Sequence, residues 1–324
     1  MRHFPLFDTM VVRKKGDLTM TDFELARQIA KKIREEHQEN VIPFTLEEGE
    51  AGLFESKAGG TPYLPHDMPW PLDGEDRPML LLAQVDCSAL ESLPDFPHTG
   101  LLQFFIASDD VYGMDFDDMT NQKGFRVIYH ETVDTFVTPE EVLAKRQQES
   151  EEDEICTPFE GEIPCRICFS APEVMELTLD DFRFDALFVA EWNRHRPDAP
   201  IEKEYELHQR LKEQDPDYEW DVFEALDRGE DEDYGEDEDD EDDEDVHHQI
   251  GGYPYFTQND PRRKDGSELA DLDVVLFQLD SDFRPESRDY LVCWGDVGVA
   301  NFFISREALK KRDFSKVAYN WDCC

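Results

Sequence analysis

Three short segments occur twice in this chain, in the same order, and that self-similarity constrains the fold more than any other feature of the sequence. Gly59-Gly60-Thr61-Pro62-Tyr63 matches Gly251-Gly252-Tyr253-Pro254-Tyr255. Leu82-Ala83-Gln84-Val85-Asp86 matches Leu276-Phe277-Gln278-Leu279-Asp280, and Gly100-Leu101-Leu102-Gln103-Phe104-Phe105-Ile106 matches Gly298-Val299-Ala300-Asn301-Phe302-Phe303-Ile304. The gaps agree: Gly59 to Gln84 is 25 residues against 27 for Gly251 to Gln278, and Gln84 to Phe104 is 20 against 24 for Gln278 to Phe302. Each unit reads as a Gly-Gly-x-Pro-Tyr turn, a buried strand ending in Gln-x-Asp, a variable loop and a second aromatic strand. Strands this short cannot bury themselves, so the two copies are expected to share a core or one extended sheet about a pseudo-twofold axis. The paired glycines supply the backbone freedom that such a turn needs.

Helices frame the copies. Thr21-Asp22-Phe23-Glu24 has the capping-box form, and Leu25, Ile29 and Ile33 come after it at helical spacing, which predicts an amphipathic helix from Thr21 to His37. Thr138-Pro139-Glu140-Glu141 is a second start signal, with Pro where its missing N–H costs nothing, and the helix is expected to reach Gln148. Helical character also marks Asp181–Arg194 and Glu202–Gln214. Strands are expected at Val41–Leu46, Met79–Val85, Leu101–Ile106, Phe125–Tyr129, Arg166–Phe169, Val274–Leu279, Leu291–Trp294, Val299–Ile304 and Val317–Trp321.

Charge decides which partners are excluded. The chain has 324 residues with 32 Lys+Arg against 78 Asp+Glu, a formal charge of -46. Between Glu230 and Asp245, 14 of 16 residues are acidic, so the acidity is not confined to that run. Nucleic-acid binding needs cations to neutralise phosphates, so sequence-independent DNA or RNA binding is excluded. The same field attracts basic proteins and divalent cations. The acidic run is expected to be a disordered, solvated loop, with weak cation buffering as a lesser role. No apolar stretch approaches the roughly 20 residues that span a bilayer, and no secretory signal is evident, so no membrane partner and a cytoplasmic location are expected. Seven cysteines, an odd number, read as reduced thiols.

Motifs of known chemistry are sparse. Cys165-Arg166-Ile167-Cys168 is a lone C-x-x-C without the second pair that a structural zinc site uses, and on a strand its thiols would point to opposite faces. His247-His248 beside the acidic run could bind a divalent metal weakly, but Asp231-Glu232-Asp233 lacks the glycine at the sixth position of a calcium loop, which here is Glu236. Nucleophile-elbow, phosphate-loop, dinucleotide and zinc-protease signatures are absent, so no catalytic residue, metal ligand or cofactor is assigned. Cys87 and Cys293 could meet His66, His98 or His130 only by folding, and neither carries a local activation signal. The repeated polar residues carry more information. Gln84 and Gln278 sit in apolar strands, where an unpaired amide costs about 1–3 kcal/mol. Either each ties down a neighbouring loop while Asp86 and Asp280 cap the next turn or helix, or Gln84, Asp86, Gln278 and Asp280 line a ligand cleft with Trp70, Trp294 and Asp296.

Taken together, Gly59–Pro65 with Met68-Pro69-Trp70-Pro71, then Leu80–Asp86 and Gly100–Phe105, resemble the YwqG-like family, also called domain of unknown function 1963. Gly252-Tyr253-Pro254, Leu276–Asp280 and Trp294-Gly295-Asp296-Val297-Gly298 through Phe302-Phe303-Ile304 resemble its C-terminal part. The resemblance implies a β-rich α+β fold containing a duplication and no established activity. It also implies an immunity or partner-neutralising role, because some relatives sit beside toxin genes, and it carries over no functional residues. The acidic run departs from the family pattern. The expected organisation is an N-terminal extension and helix over 1–40, then one domain over 41–324. That domain comprises antiparallel repeats at 41–135 and 246–324, a helical insertion over 136–228 and the acidic loop over 229–245. The leading functional expectation is a non-enzymatic binding protein whose acidic surface engages a basic protein, with an enzyme or small-ligand binder using the cleft between copies as the alternative.

Overall fold

A computed structural model describes residues 20–146, 155–159, 164–214, 246–263, 267–284 and 289–324. The acidic run Glu230–Asp245, the first 19 residues and the end of the expected helix at Gln148 lie outside the described residues.

Helix α1 spans Asp22–Glu36 and begins with the expected capping box, the Thr21 side chain accepting from the Glu24 N–H and the Glu24 carboxylate from the Thr21 N–H. Its buried stripe is Ala26, Ile29, Ala30 and Ile33, one position off the expected Leu25 line. Strand β1 (Gln38–Glu48) comes directly after it and is the hinge of the sheet. One edge of β1 pairs with β8 (Gln249–Gly251) at Val41–Pro43. The other edge pairs with β6 (Cys165–Phe169) at Phe44–Glu48 and with β7 (Glu173–Glu176) at Gln38–Val41.

Two wings extend from this centre, every neighbour antiparallel. Beyond β6 lie β2 (Lys57–Ala58), β3 (Leu80–Asp86), β4 (Leu101–Ile106) and β5 (Phe125–His130). Beyond β8 lie β9 (Val274–Asp280), β12 (Val299–Ile304) and β13 (Val317–Asp322). A separate hairpin, β10 (Asp282–Arg284) with β11 (Asp289–Val292), interrupts the second wing. The register of the wings matches: Gln84 faces Gln103 and Gln278 faces Asn301, and each central strand carries a bulge two residues before its glutamine, at Leu82 and at Leu276.

The sheet curls until its two wings face each other across a core of inward side chains. Phe104 of one wing stacks on Phe277 of the other with ring centroids 4.6 Å apart, and Phe302 stacks on Tyr319 at 4.6 Å. Such contacts contribute beyond area burial, by about 0.5–1.5 kcal/mol per aromatic pair. The outward faces carry smaller apolar layers. One is Tyr63, Leu64, Trp70, Leu81 and Phe105 with α2 (Pro139–Leu143); another is Phe256, Val275 and Phe303. Helices α1, α3 (Arg183–His195) and α4 (Glu204–Gln214) form a third layer around Phe184, Phe188 and Trp192.

Several expectations are corrected. Helix α2 ends at Leu143, its C-cap Ala144 closing it before Gln148. The strand expected to reach Trp294 stops at Val292, because the chain turns through Trp294–Gly298, where the Gly298 N–H bonds the Trp294 carbonyl at 2.8 Å. A short helix α5 (Arg306–Lys311), capped by Ser305, lies between β12 and β13 where none is expected from the sequence. Among the described residues no helix is long and apolar enough to cross a membrane.

Candidate functional site

An amide enclosed in an apolar strand must find partners, and both buried glutamines do. Gln84 is fully buried and all its capacity is used. Its Oε1 accepts from the Tyr63 N–H at 2.9 Å and from Gln103 Nε2 at 2.8 Å, while its Nε2 donates to the carbonyls of Leu53 and Glu55, both at 2.9 Å. Gln103 also donates to the Tyr63 carbonyl at 2.7 Å. With its amide nitrogen spent on donation, Gln103 Oε1 is the acceptor for His130 Nε2 at 2.9 Å, which assigns the proton of the neutral imidazole to Nε2. Burial pushes His130 down to about 4.

The second wing repeats the arrangement. Gln278 Oε1 accepts from the Tyr255 N–H at 2.8 Å, its Nε2 donates to the His247 carbonyl at 2.5 Å, and Asn301 Nδ2 donates to the Tyr255 carbonyl at 3.0 Å. The backbone N–H of Asp86 donates to Ser56 Oγ at 2.8 Å, and that of Asp280 to His248 Nδ1 at 3.0 Å. Even the strand before each glycine pair conforms. Lys57 Nζ donates to the Thr61 carbonyl at 3.1 Å and Gln249 Nε2 to the Tyr253 carbonyl at 2.7 Å. In both wings, side-chain amides or an ammonium therefore hold the Gly-Gly-x-Pro-Tyr loop against the sheet. The loop needs that help because its glycines have φ of 70° and 74° in one wing and 75° and 69° in the other, which leaves no regular ladder for its backbone.

The wings differ at the rim. His130, paired with Leu101, is replaced by Asp322, paired with Val299. Burial raises the Asp322 carboxyl, which accepts from the Gln258 N–H at 2.9 Å, and Asn301 Oδ1 has no partner among the described residues.

The remaining expected site residues fall in separate places. Asp86 accepts from the Ser88 N–H at 3.0 Å and caps the short 3-10 turn Cys87–Leu90. Asp280 instead receives the His247 N–H at 2.9 Å and the Ser281 N–H at 2.8 Å. Trp70 is buried in the outer layer of the first wing, its Nε1 donating to the Met79 carbonyl at 2.9 Å. Trp294 is fully buried inside the curled sheet, edge-on to Tyr112 at 5.5 Å, and Asp296 is exposed on the adjoining turn. In the strand order β3 and β9 are separated by β2, β6, β1 and β8, so Gln84 with Asp86 and Gln278 with Asp280 form two pairs beneath two loops rather than one wall.

Burial opposes activation of the two enclosed thiols, Cys87 and Cys165. Burial pushes Cys87 up to about 12 and Cys165 up to about 11. Cys165 is buried and Cys168 half-buried on β6, and all seven cysteines are free. Among the described residues no group of three or more His, Cys, Asp or Glu side chains is placed to hold a metal ion. Sequence reasoning gave no role to Gln103, Asn301 and Ser56, and it weighed His130 only as a partner for a thiol and His248 only as a weak metal ligand. The signal for the first two was present, since both are polar residues at one position of an otherwise apolar repeated segment.

No curated protein matches the sequence at a significant level. The family model described as a domain of unknown function (DUF1963) matches residues 56–323, which takes in both wings with their glutamine-bearing strands and the helices between them, and the chain belongs to that family.

Proposed function

We propose that the protein is a non-enzymatic cytoplasmic binding protein whose acidic exterior engages a basic protein partner, in the manner of an immunity protein that neutralises a toxin. The observation that carries this reading is how charge and polarity are divided. The buried polar groups common to both wings are spent on loop backbone, while the chain carries 78 acidic against 32 basic residues. Opposed charge would give a fast encounter and apolar contacts would hold the complex.

The same reading treats the wings as two copies of one unit about a pseudo-twofold axis, residues 41–135 and 246–324, with the insertion over 136–228 and the acidic loop over 229–245 between them. Its support is the shared strand order, the bulge at Leu82 and Leu276, and the equivalent bonds made by Gln84 and Gln278. Affinity capture on the full chain from its own cells, at low and at high salt with mass spectrometry, tests the function. One basic protein retained near stoichiometry at low salt and lost at high salt is expected; capture of no specific protein at low salt would contradict it.

A further inference from the structure

Where the curled sheet stops short of closing, the outer edge of β5 faces a groove instead of a strand. The strand order ends at β5 on one side and β13 on the other. The β13 side of the gap is covered: the Tyr319 N–H donates to the Met119 carbonyl at 2.9 Å and Trp321 Nε1 to the Val111 carbonyl at 2.8 Å. On the β5 side the Phe125 ring packs on Tyr319 at 5.3 Å and the Tyr129 ring on Phe314 at 5.7 Å, and among the described residues one side chain bridges the edge by hydrogen bonds. The Val127 N–H donates to Gln122 Oε1 at 3.2 Å, and Gln122 Nε2 donates to the carbonyls of Phe314 at 2.8 Å and Ser315 at 3.2 Å. The Gln122 amide thus stands in for one peptide unit of a missing strand.

Alternate residues of a strand direct their backbone groups to the same edge. Tyr129 therefore turns its N–H and C=O to the groove, as Val127 does, and among the described residues nothing pairs with them. The groove is about 490 Å³, within the range of ligand sites, and its lining includes Arg126 and Arg312 but no carboxylate. Arg126 donates to the Leu72 carbonyl at 3.3 Å, and Arg312 to the carbonyls of Asp95 at 2.6 Å and Phe96 at 2.8 Å. Among the described residues neither guanidinium forms an ion pair with a carboxylate, although acids outnumber bases 78 to 32 in the chain. The nearest carboxylates are Asp313, which accepts from the Ser315 N–H and hydroxyl, and Glu131 beside Tyr129. With a screening length of about 8 Å at physiological salt, the two guanidiniums on the groove wall act on a ligand there more strongly than acidic groups farther off than that.

We infer that the free edge of β5 accepts an extended acidic peptide as an added strand, with main-chain bonds to Tyr129 and carboxylates facing Arg126 and Arg312. This site goes beyond the basic partner proposed above and stands or falls separately from it. The test uses the full chain and three short labelled peptides in fluorescence anisotropy at about 0.15 M salt. One alternates Glu and Val, one alternates Lys and Val, and one is the Glu/Val peptide N-methylated at alternate residues to block strand pairing. The Glu/Val peptide is expected to bind at least about tenfold more tightly than either control, as charge complementarity and main-chain pairing both require. It should also slow exchange of the Tyr129 amide and lose at least about tenfold in affinity with Arg126→Gln, whose circular dichroism is unchanged. Absence of binding, equal binding of the Lys/Val or N-methylated peptide, or an unaltered affinity in Arg126→Gln would each overturn the assignment.

Discussion

At the scale of single residues, equivalent positions in the two wings do the same work with different chemistry, and this makes their roles separable. Among the described residues the Gln84 side chain makes four hydrogen bonds where that of Gln278 makes two. An unsatisfied buried polar group costs about 1–3 kcal/mol, so Gln84→Ala should destabilise more than Gln278→Ala in urea titrations, with no change in partner affinity for either. Lys57 and Gln249 both hold the loop after them, but Lys57 does so as a cation that burial pushes down to about 8. Lys57→Gln should therefore keep the loop bond, remove the desolvation cost and leave the thermal midpoint unchanged or raised, whereas Lys57→Met should lower it. His130 gives the pH signature. Burial depresses it from 6.5 to about 4, so the unfolded chain binds the proton first on acidification. Its contribution is complete above pH 6.5 and falls away down to about 4, by up to about 3 kcal/mol at 1.36 kcal/mol per unit. Urea midpoints measured over this window should fall less steeply in His130→Gln than in the parent protein.

At the scale of elements, the helical layer is fastened to the second wing by a buried ion cluster. Arg262, on the 3-10 turn Pro261–Arg263, donates to Asp260 at 2.7 Å and to Asp181, at the start of the helical segment, at 3.2 Å. Its guanidinium lies 4.1 Å from the Phe303 ring centroid. Removing one member of such a cluster leaves charges buried and uncompensated, at a cost of about 3–5 kcal/mol. Arg262→Met should lose that much, and hydrogen exchange should show α3 opening first. The elements that were legible in the sequence are those with enough length to show a period. Leu101–Ile106 and Val299–Ile304 coincide with their expected bounds, and α1 is announced by its capping box. Strands β2 and β8 were not expected, because two or three residues carry no periodicity and are strands only through their neighbours on either side. The glycine pairs after them were readable as turns, but the loop-tying role of Gln103 and Asn301 required knowing which strands face each other. The separation of Trp70 from Trp294 was not legible either, since aromatic character does not say on which side of a curled sheet a residue falls.

At the scale of the whole molecule, a scaffold whose polar core is occupied with its own loops leaves an exterior that is free to act through charge. The net charge of -46 sets a long-range field that favours cationic surfaces and falls off as salt is added. The most direct measurement is the association rate of the full chain with the basic protein proposed above as its partner, across ionic strength, by stopped-flow fluorescence. Electrostatic capture predicts a rate that falls at least about tenfold between about 0.02 M and 0.3 M salt, with a smaller change in the dissociation rate. An association rate indifferent to salt would contradict it.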